Sequence, residues 1–200
     1  MILQDTVDVP VPDPALEQYP TPAVIASDLI FRAYAAGDID GRTMCEPGCG
    51  KGILSIGAGL MGADHIFGFD CDQRSVDIAN MNLDTMTDKG YEIEADFFKA
   101  SLPEYDTKMK WDTIIMNPPF GAQKQGADRP FLEFASTHCD VLYSLHVART
   151  ADFILHFLKK LGVGGEVLGT YTFPIKHMFT FHKKEMMEFE VVLVRGEVLG

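Results

Sequence analysis

The sequence predicts an α/β fold with a mostly parallel seven-stranded sheet, one antiparallel strand and helices on both faces of the sheet. Short apolar runs alternate with longer segments in which apolar residues recur at helical spacing, as expected of alternating strands and helices. The run 113–116 is apolar or β-branched without alternation, which is typical of a strand covered on both faces. The last apolar run, 189–195, has no helix ahead of it and is therefore expected to return as an antiparallel strand.

Length and composition favour one domain with a sizeable core. The chain has 200 residues, of which 46% are hydrophobic. No apolar run approaches the roughly 20 residues of a membrane span, and the amino terminus has neither the basic start nor the apolar stretch of a signal peptide. We therefore expect a cytoplasmic protein without a membrane association. The cysteines form no C-x-x-C pair and the histidines are scattered, so we expect no metal site.

The net charge of −12 argues against simple electrostatic capture of nucleic acid, because phosphate binding normally needs a basic face. The charge is unevenly distributed, however. The window 170–184 contains Lys176, Lys183 and Lys184 and no acidic residue. A basic surface could also be supplied by a partner subunit.

The first 17 residues are rich in proline and have little periodicity, so we predict an extended arm over 1–17 ahead of a single domain over 18–200. Thr21 followed by Pro22 is typical of a helix start, and apolar residues recur at helical spacing until Gly37. Gln18 and Tyr19 lie just ahead of this helix, where they could close over a ligand. Alternatively, Tyr19 forms a hydrophobic staple for the helix.

A glycine turn follows the first predicted strand, 42–46, and leads into a helix over 53–61. Gly48, Gly50 and Gly52 allow the backbone to approach a ligand closely and leave free N–H groups at the helix start. The third glycine comes one residue too early for the dinucleotide pattern G-x-G-x-x-G.

The residues around this turn point to a cationic ligand. Lys51 is followed by glycine instead of serine or threonine, so the turn is not a P-loop. Glu46 would repel a phosphate, but its carboxylate can accept hydrogen bonds from an amino group.

Two acidic residues follow the next predicted strands. The strand 65–69 ends at Asp70, 20 residues after Gly50, where a carboxylate is placed to bind both hydroxyls of a ribose. Asp72 is expected to cap the following helix, which runs to about Lys89. A third strand, 91–95, is predicted to end at Asp96, which would then hold an adenine amino group; alternatively, Asp96 is a surface turn residue.

The strand 113–116 leads directly into Asn117, Pro118, Pro119 and Phe120. Prolines restrict the backbone, so Asn117 should be held rigidly at the carboxyl end of its strand, where open α/β sheets bind ligands. The Asn117 side-chain oxygen and the Pro118 carbonyl could accept both hydrogens of a nucleobase amino group, while Phe120 stacks on the base. The tetrapeptide alone fits equally well a proline turn with an aromatic lid over the core.

The rest of the chain completes the sheet. We predict a polar loop over 121–130 that could move as a lid, helices over 130–137 and 150–161, strands over 141–145 and 166–172, and a turn at Gly164 and Gly165.

In this order, the motifs resemble the class I S-adenosylmethionine-dependent methyltransferases, which have a Rossmann-like fold. The segment 46–52 matches the loop that binds methionine, and the segment 117–120 matches the signature of enzymes that methylate exocyclic or amide nitrogens. The blocks 18–21, 54–57, 68–72, 115–121, 143–146 and 181–184 resemble more closely the methyltransferase-like protein 5 family of ribosomal RNA N6-adenine methyltransferases.

This resemblance implies transfer of a methyl group from S-adenosylmethionine to N6 of an adenine in small-subunit ribosomal RNA. It also implies a heterodimer with a small zinc-binding methyltransferase activator protein, bound through an exposed sheet edge. Guanine-N2 methylation of ribosomal RNA, protein glutamine-N5 methylation and an inactive scaffold that binds S-adenosylmethionine remain as alternatives. The site residues that it implies are, for catalysis, Asn117, Pro118, Pro119 and Phe120; for the cofactor, Gln18, Tyr19, Thr21, Glu46, Gly48, Cys49, Gly50, Gly52, Asp70, Asp96 and Asn117; and for RNA, Lys176, His182, Lys183 and Lys184.

Overall fold

A computed structural model describes residues 2–8, 16–175 and 187–199 and contains a seven-stranded sheet. The strands are β1 Thr43–Pro47, β2 His65–Asp70, β3 Ala95–Lys99, β4 Trp111–Met116, β5 Cys139–Val147, β6 Val163–Ile175 and β7 Met187–Val198. Their order in the sheet is β3-β2-β1-β4-β5-β7-β6. The first five strands in this order run parallel to one another, whereas β7 is antiparallel to both β5 and β6. The predicted mostly parallel sheet with one antiparallel strand is therefore confirmed.

Helices cover both faces of the sheet, as the unbroken apolar run in β4 predicts. Side chains alternate along a strand, so Ile115 packs in the core on one face while Ile114 and Met116 pack in the core on the other. The helices are α1 Ala23–Ala35, α2 Ile53–Leu60, α3 Gln73–Asp88, α4 Arg129–His138 and α5 Ala151–Lys160. The first core includes residues of α1 and α2, and the second includes residues of α4 and α5.

The predicted third strand is wrong by four residues, since β3 begins at Ala95 and not at Tyr91. Tyr91 instead completes the end of α3: its N–H donates to the Met86 carbonyl at 3.1 Å, next to Gly90, which has φ 88°. Tyr91 therefore terminates α3, although the sequence pattern assigns it to the start of a strand.

The predicted turn at Gly164 and Gly165 is also wrong, because both lie within β6, opposite Glu197 and Gly196. The turn comes earlier, at Gly162, which has φ 79°. Gly165 is needed for packing instead: a Cβ there would lie 3.1 Å from the Leu155 side chain.

Part of the predicted extended arm folds onto the domain. Ile2–Asp5 forms a short 3₁₀ helix, and Leu3 is buried in the same core as α1 and α2. Asn82 then holds the backbone of Val7, accepting from its N–H at 2.8 Å and donating to its carbonyl at 3.1 Å. Residues 9–15 lie outside the described part of the chain.

Candidate active site

A cavity of about 860 Å³ lies at the carboxyl ends of β1, β2 and β4. Open α/β sheets bind their ligands at this edge. Most of the predicted site residues lie in its wall: Gln18, Tyr19 and Thr21 ahead of α1; Glu46 in β1, followed by Gly48, Cys49 and Gly50; and Asp70, Asn117 and Pro119 at the other two strand ends. Gly52, Pro118 and Phe120 are within two positions of these residues in the chain but do not line the cavity.

The turn after β1 requires glycine at three positions. Gly48, Gly50 and Gly52 have φ values of 69°, 52° and 76°, in the left-handed region that side chains disfavour. A Cβ on Gly48 would also lie 3.0 Å from the Phe131 ring. The Gly48 N–H donates to the Phe69 carbonyl at 2.7 Å, which fastens the turn to the end of β2.

Glu46 is a buried acid at the base of this turn. Its Oε2 accepts hydrogen bonds from the Ser55 backbone N–H, at 2.8 Å, and from the Ser55 hydroxyl. Burial raises the pKa of Glu46 to about 8, against the opposing effect of the Ser55 hydrogen bonds. A cation in the cavity would favour the ionised form, so the site is suited to a positively charged ligand.

Asp70 is held by two backbone groups at the end of β2. Its Oδ2 accepts from the Gly50 N–H at 3.0 Å, and its Oδ1 accepts from the Asp72 N–H at 2.9 Å. Burial raises the pKa of Asp70, and these two hydrogen bonds oppose the rise. Each carboxylate oxygen retains a further lone pair, so the group can accept from two hydroxyls of a ribose.

Asp72 caps α3, as predicted, by accepting from the Arg74 N–H at 3.1 Å. It also connects the two sides of the cavity, because the Gln18 side chain donates to Asp72 Oδ2 at 2.9 Å.

Asn117 has both of its amide hydrogens engaged by the segment ahead of α1. Its Nδ2 donates to Thr21 Oγ1 at 3.0 Å and to the Tyr19 carbonyl at 3.3 Å. These two bonds fix the orientation of the amide and leave Oδ1 as a buried acceptor that has no hydrogen-bond partner among the described residues. Buried polar atoms are normally hydrogen-bonded, so Oδ1 is available to accept an N–H hydrogen from a ligand.

Phe120 presents one face to Tyr19 and is held from the sides by two other rings. The Phe120 and Tyr19 rings are nearly parallel, at 17°, with their centroids 6.1 Å apart. Phe173 and Phe189 pack edge-on at 5.4 and 5.1 Å. The ring is therefore a rigid part of the packing around β6 and β7, in contact with the wall residue Tyr19.

The predicted role of Asp96 is wrong. Asp96 pairs with Phe67 in the parallel register and lies near the amino end of β3, away from the cavity. Its side chain is 68% exposed and lies 2.9 Å from His65 Nε2. The chain segment after the carboxyl end of β3, Ala100–Pro103, lines the cavity instead.

Glu17 is a wall residue that the sequence does not reveal, since it falls in the predicted arm. It is buried and has φ 50°, and its Oε1 accepts from the Gln123 N–H at 2.6 Å. Its only sequence signal is its position next to Gln18 and Tyr19.

Several expectations fall outside the described residues. Lys176, His182, Lys183 and Lys184 lie in the segment 176–186, which the structure does not describe. Within the described ranges, no group of three or more histidine, cysteine, aspartate or glutamate side chains is arranged to hold a metal ion. No helix in the same part of the chain has the length and apolar character needed to span a membrane.

Comparison with known proteins connects this geometry to RNA methylation. A family profile for ribosomal protein L11 methyltransferase (PrmA) matches residues 28–118. The rRNA N(6)-adenosine-methyltransferase METTL5 of Danio rerio is 34% identical, with 90% of this chain and 87% of that protein covered. Its Drosophila melanogaster counterpart is 33% identical, with 92% and 87% covered.

Solved structures agree with this comparison. The crystal structure of a candidate RNA methyltransferase from Pyrococcus horikoshii has a TM-score of 0.86 at 35% identity, and covers 99% of this chain and 95% of its own. A magnesium protoporphyrin IX methyltransferase from Synechocystis with bound S-adenosylmethionine has a TM-score of 0.65 at 17% identity, with 88% and 79% covered. At that identity, the second match shows a shared fold alone.

Proposed function

The chain belongs to the METTL5 family of rRNA N6-adenosine methyltransferases, and from this premise we propose that it transfers a methyl group from S-adenosylmethionine to N6 of an adenine in small-subunit ribosomal RNA. One observation in the site carries the proposal. Asn117 Oδ1 is a fixed, buried acceptor with no partner in the part of the chain that the structure describes, at the strand end where an amine substrate would bind. An adenine amino group supplies the missing hydrogen.

The cofactor occupies the side of the cavity formed by the turn after β1. S-adenosylmethionine carries positive charge on its sulfonium and ammonium groups, which suits the buried acids Glu46 and Asp70. Asp70 accepts from the ribose hydroxyls, and the glycine turn lets the backbone lie against the methionine part.

Asn117 and Pro118 prepare the nucleophile. The lone pair of an adenine amino group is delocalised into the ring, so the nitrogen is a poor nucleophile. When Asn117 Oδ1 and the Pro118 carbonyl accept its two hydrogens, the nitrogen becomes pyramidal and its lone pair turns toward the methyl group. With S-adenosylmethionine bound, N6 would bond to the methyl carbon while the carbon–sulfur bond breaks with its electron pair remaining on sulfur, and the proton lost from N6 would pass to solvent water. Positioning of the two bound reactants supplies most of the acceleration, an effect that contributes about 7–11 kcal/mol in well-oriented reactions.

Phe120 supports the target base by stacking, a contact worth about 1–3 kcal/mol. A base held between Phe120 and Tyr19 needs twice the usual carbon contact distance, about 7–8 Å in total. The ring centroids are only 6.1 Å apart, so Tyr19 moves outward when the base enters.

The RNA chain needs positive charge that most of this surface lacks. We assign phosphate contacts to Lys176, His182, Lys183 and Lys184, which supply a basic window in a chain of net charge −12. We also propose a heterodimer with a small zinc-binding activator protein that pairs with one of the two sheet edges, β3 or β6. Co-purification from cells expressing both proteins tests the heterodimer, and separate elution of the two would contradict it.

The activity is tested by incubating the protein, with and without the activator, with labelled S-adenosylmethionine and deproteinised ribosomal RNA. Mass analysis of the digested nucleosides should find N6-methyladenosine in small-subunit RNA. N2-methylguanosine would assign a different base, and cofactor binding without transfer to RNA would mean that the protein is a scaffold.

A further inference from the structure

Glu17 is a buried acid in the cavity wall whose carboxylate is only half satisfied. The residue is 6% exposed, its Oε1 accepts from the Gln123 N–H at 2.6 Å, and its Oε2 is buried without a hydrogen-bond partner in the described part of the chain. A buried polar atom without a partner costs free energy, which a ligand can offset by donating to it. Its backbone φ of 50° is also one that glutamate rarely adopts, so the turn holds this side chain in place against a local cost.

The surroundings of Glu17 place it on the nucleotide side of the cavity. The Tyr19 N–H donates to the Glu17 carbonyl at 2.7 Å, and the Tyr19 carbonyl in turn accepts from Asn117. Burial raises the pKa of the Tyr19 phenol, and the nearby Glu17 carboxylate raises it further. Glu17 therefore lies beside the ring that faces Phe120, whereas the acids assigned to the cofactor, Glu46 and Asp70, lie at the carboxyl ends of β1 and β2.

The chemistry of an adenosine within RNA leaves one donor for this acceptor. The two N6 hydrogens are bound by Asn117 and Pro118 in the proposed reaction, and the ring nitrogens N1, N3 and N7 are acceptors. The 3′ and 5′ oxygens are esterified in the chain. The 2′-hydroxyl remains, and it is the group by which a protein distinguishes RNA from DNA.

We infer that Glu17 accepts a hydrogen bond from the 2′-hydroxyl of the target adenosine and thereby makes the enzyme select RNA over DNA. This inference rests on the proposed function.

The test compares two RNA oligonucleotides that contain the mapped methylation site and differ only in a 2′-deoxyadenosine at the target position. The wild-type protein should have a kcat/KM about 10- to 100-fold lower on the deoxy substrate, as expected for the loss of a hydrogen bond to a charged group. Glu17→Met keeps the length of the side chain but removes both oxygens, so its ribose-to-deoxyribose ratio should fall to within about twofold of one.

A matched control separates this contact from the anchoring of the loop. Gln123→Pro removes the N–H that Glu17 Oε1 accepts but keeps the carboxylate, so it should retain the wild-type ratio even if its overall rate falls. The equilibrium binding affinities for the two oligonucleotides are also measured, and their ratio can be determined even for a variant that is catalytically inactive.

Two results would overturn the inference: equal use of both oligonucleotides by the wild type, or an unchanged ratio in Glu17→Met. If that unchanged ratio is accompanied by weaker binding of S-adenosylmethionine alone, Glu17 is assigned to the cofactor. A wild-type protein that methylates neither oligonucleotide would instead refute the proposed function, so the two failures are distinguishable.

Discussion

Replacing Glu46 with glutamine should remove a pH dependence from the stability of the ligand-free protein. The folded-state pKa of Glu46 is about 8, against an ordinary value of 4.5. The folded protein therefore binds this proton more strongly than the unfolded chain, so the free energy of unfolding falls as pH rises from about 4.5 to about 8. For one group with these two values, the fall between pH 5 and pH 7 is about 2–3 kcal/mol.

Urea unfolding at half-unit steps from pH 5 to pH 8 measures this effect. Glu46→Gln keeps an oxygen that can accept from Ser55 and should have a flatter profile than the wild type by about that amount. The exposed Glu94→Gln serves as the control and should follow the wild type. Saturating S-adenosylmethionine should also flatten the wild-type profile, because a cation favours the carboxylate. Parallel profiles for wild type and Glu46→Gln would refute the reasoning.

Three further substitutions test other parts of the site and fold. Asn117→Ala should lower kcat by about 100- to 1000-fold, the usual effect of losing one preorganised polar contact to the reacting group, while calorimetry finds cofactor affinity unchanged; normal turnover would contradict its role. Asp70→Ala should weaken S-adenosylmethionine binding by more than about 1 kcal/mol, and equal affinity in a titration would place the ribose elsewhere. Leu3→Ala should lower the free energy of unfolding by about 2–4 kcal/mol because Leu3 is buried; a urea midpoint that does not move would mean that the amino-terminal helix is not docked in solution.

Local signals predicted most of the fold. The unbroken apolar run of β4, the Thr21-Pro22 helix start and the Asp72 cap each depend on neighbouring residues, and each predicted element lies within a few residues of its position in the structure. The start of the third strand was predicted wrongly because the same residues carry a signal for a strand and a signal for a helix end. The helix end at Gly90 uses Tyr91, and the tertiary register then determines where β3 begins.

The site was predictable where single residues mark it and was missed where distant residues combine. The sequence identifies Asn117, but not that its amide is oriented by Tyr19, 98 residues earlier. Glu17 gave no signal because its partner Gln123 lies 106 residues away, and its orphaned oxygen is visible only in three dimensions. The prediction for Asp96 failed because the predicted third strand ends at this residue, whereas β3 begins at Ala95. The shift of four residues moves Asp96 away from the cavity.

The acidity of the chain now has a partial physical account. Glu17, Glu46 and Asp70 are buried around one cavity, where they suit a cationic cofactor and a hydroxyl donor. The exposed remainder of the −12 charge still opposes RNA. The window 170–184 contains three lysines, and single-stranded binding loses about 0.7 in log affinity per contact for each tenfold rise in salt, so the window accounts for a slope of only about −2. A steeper slope for the complex with the activator protein than for the isolated chain would show that the partner supplies further cations, so the difference between the two slopes measures how many phosphate contacts the partner makes.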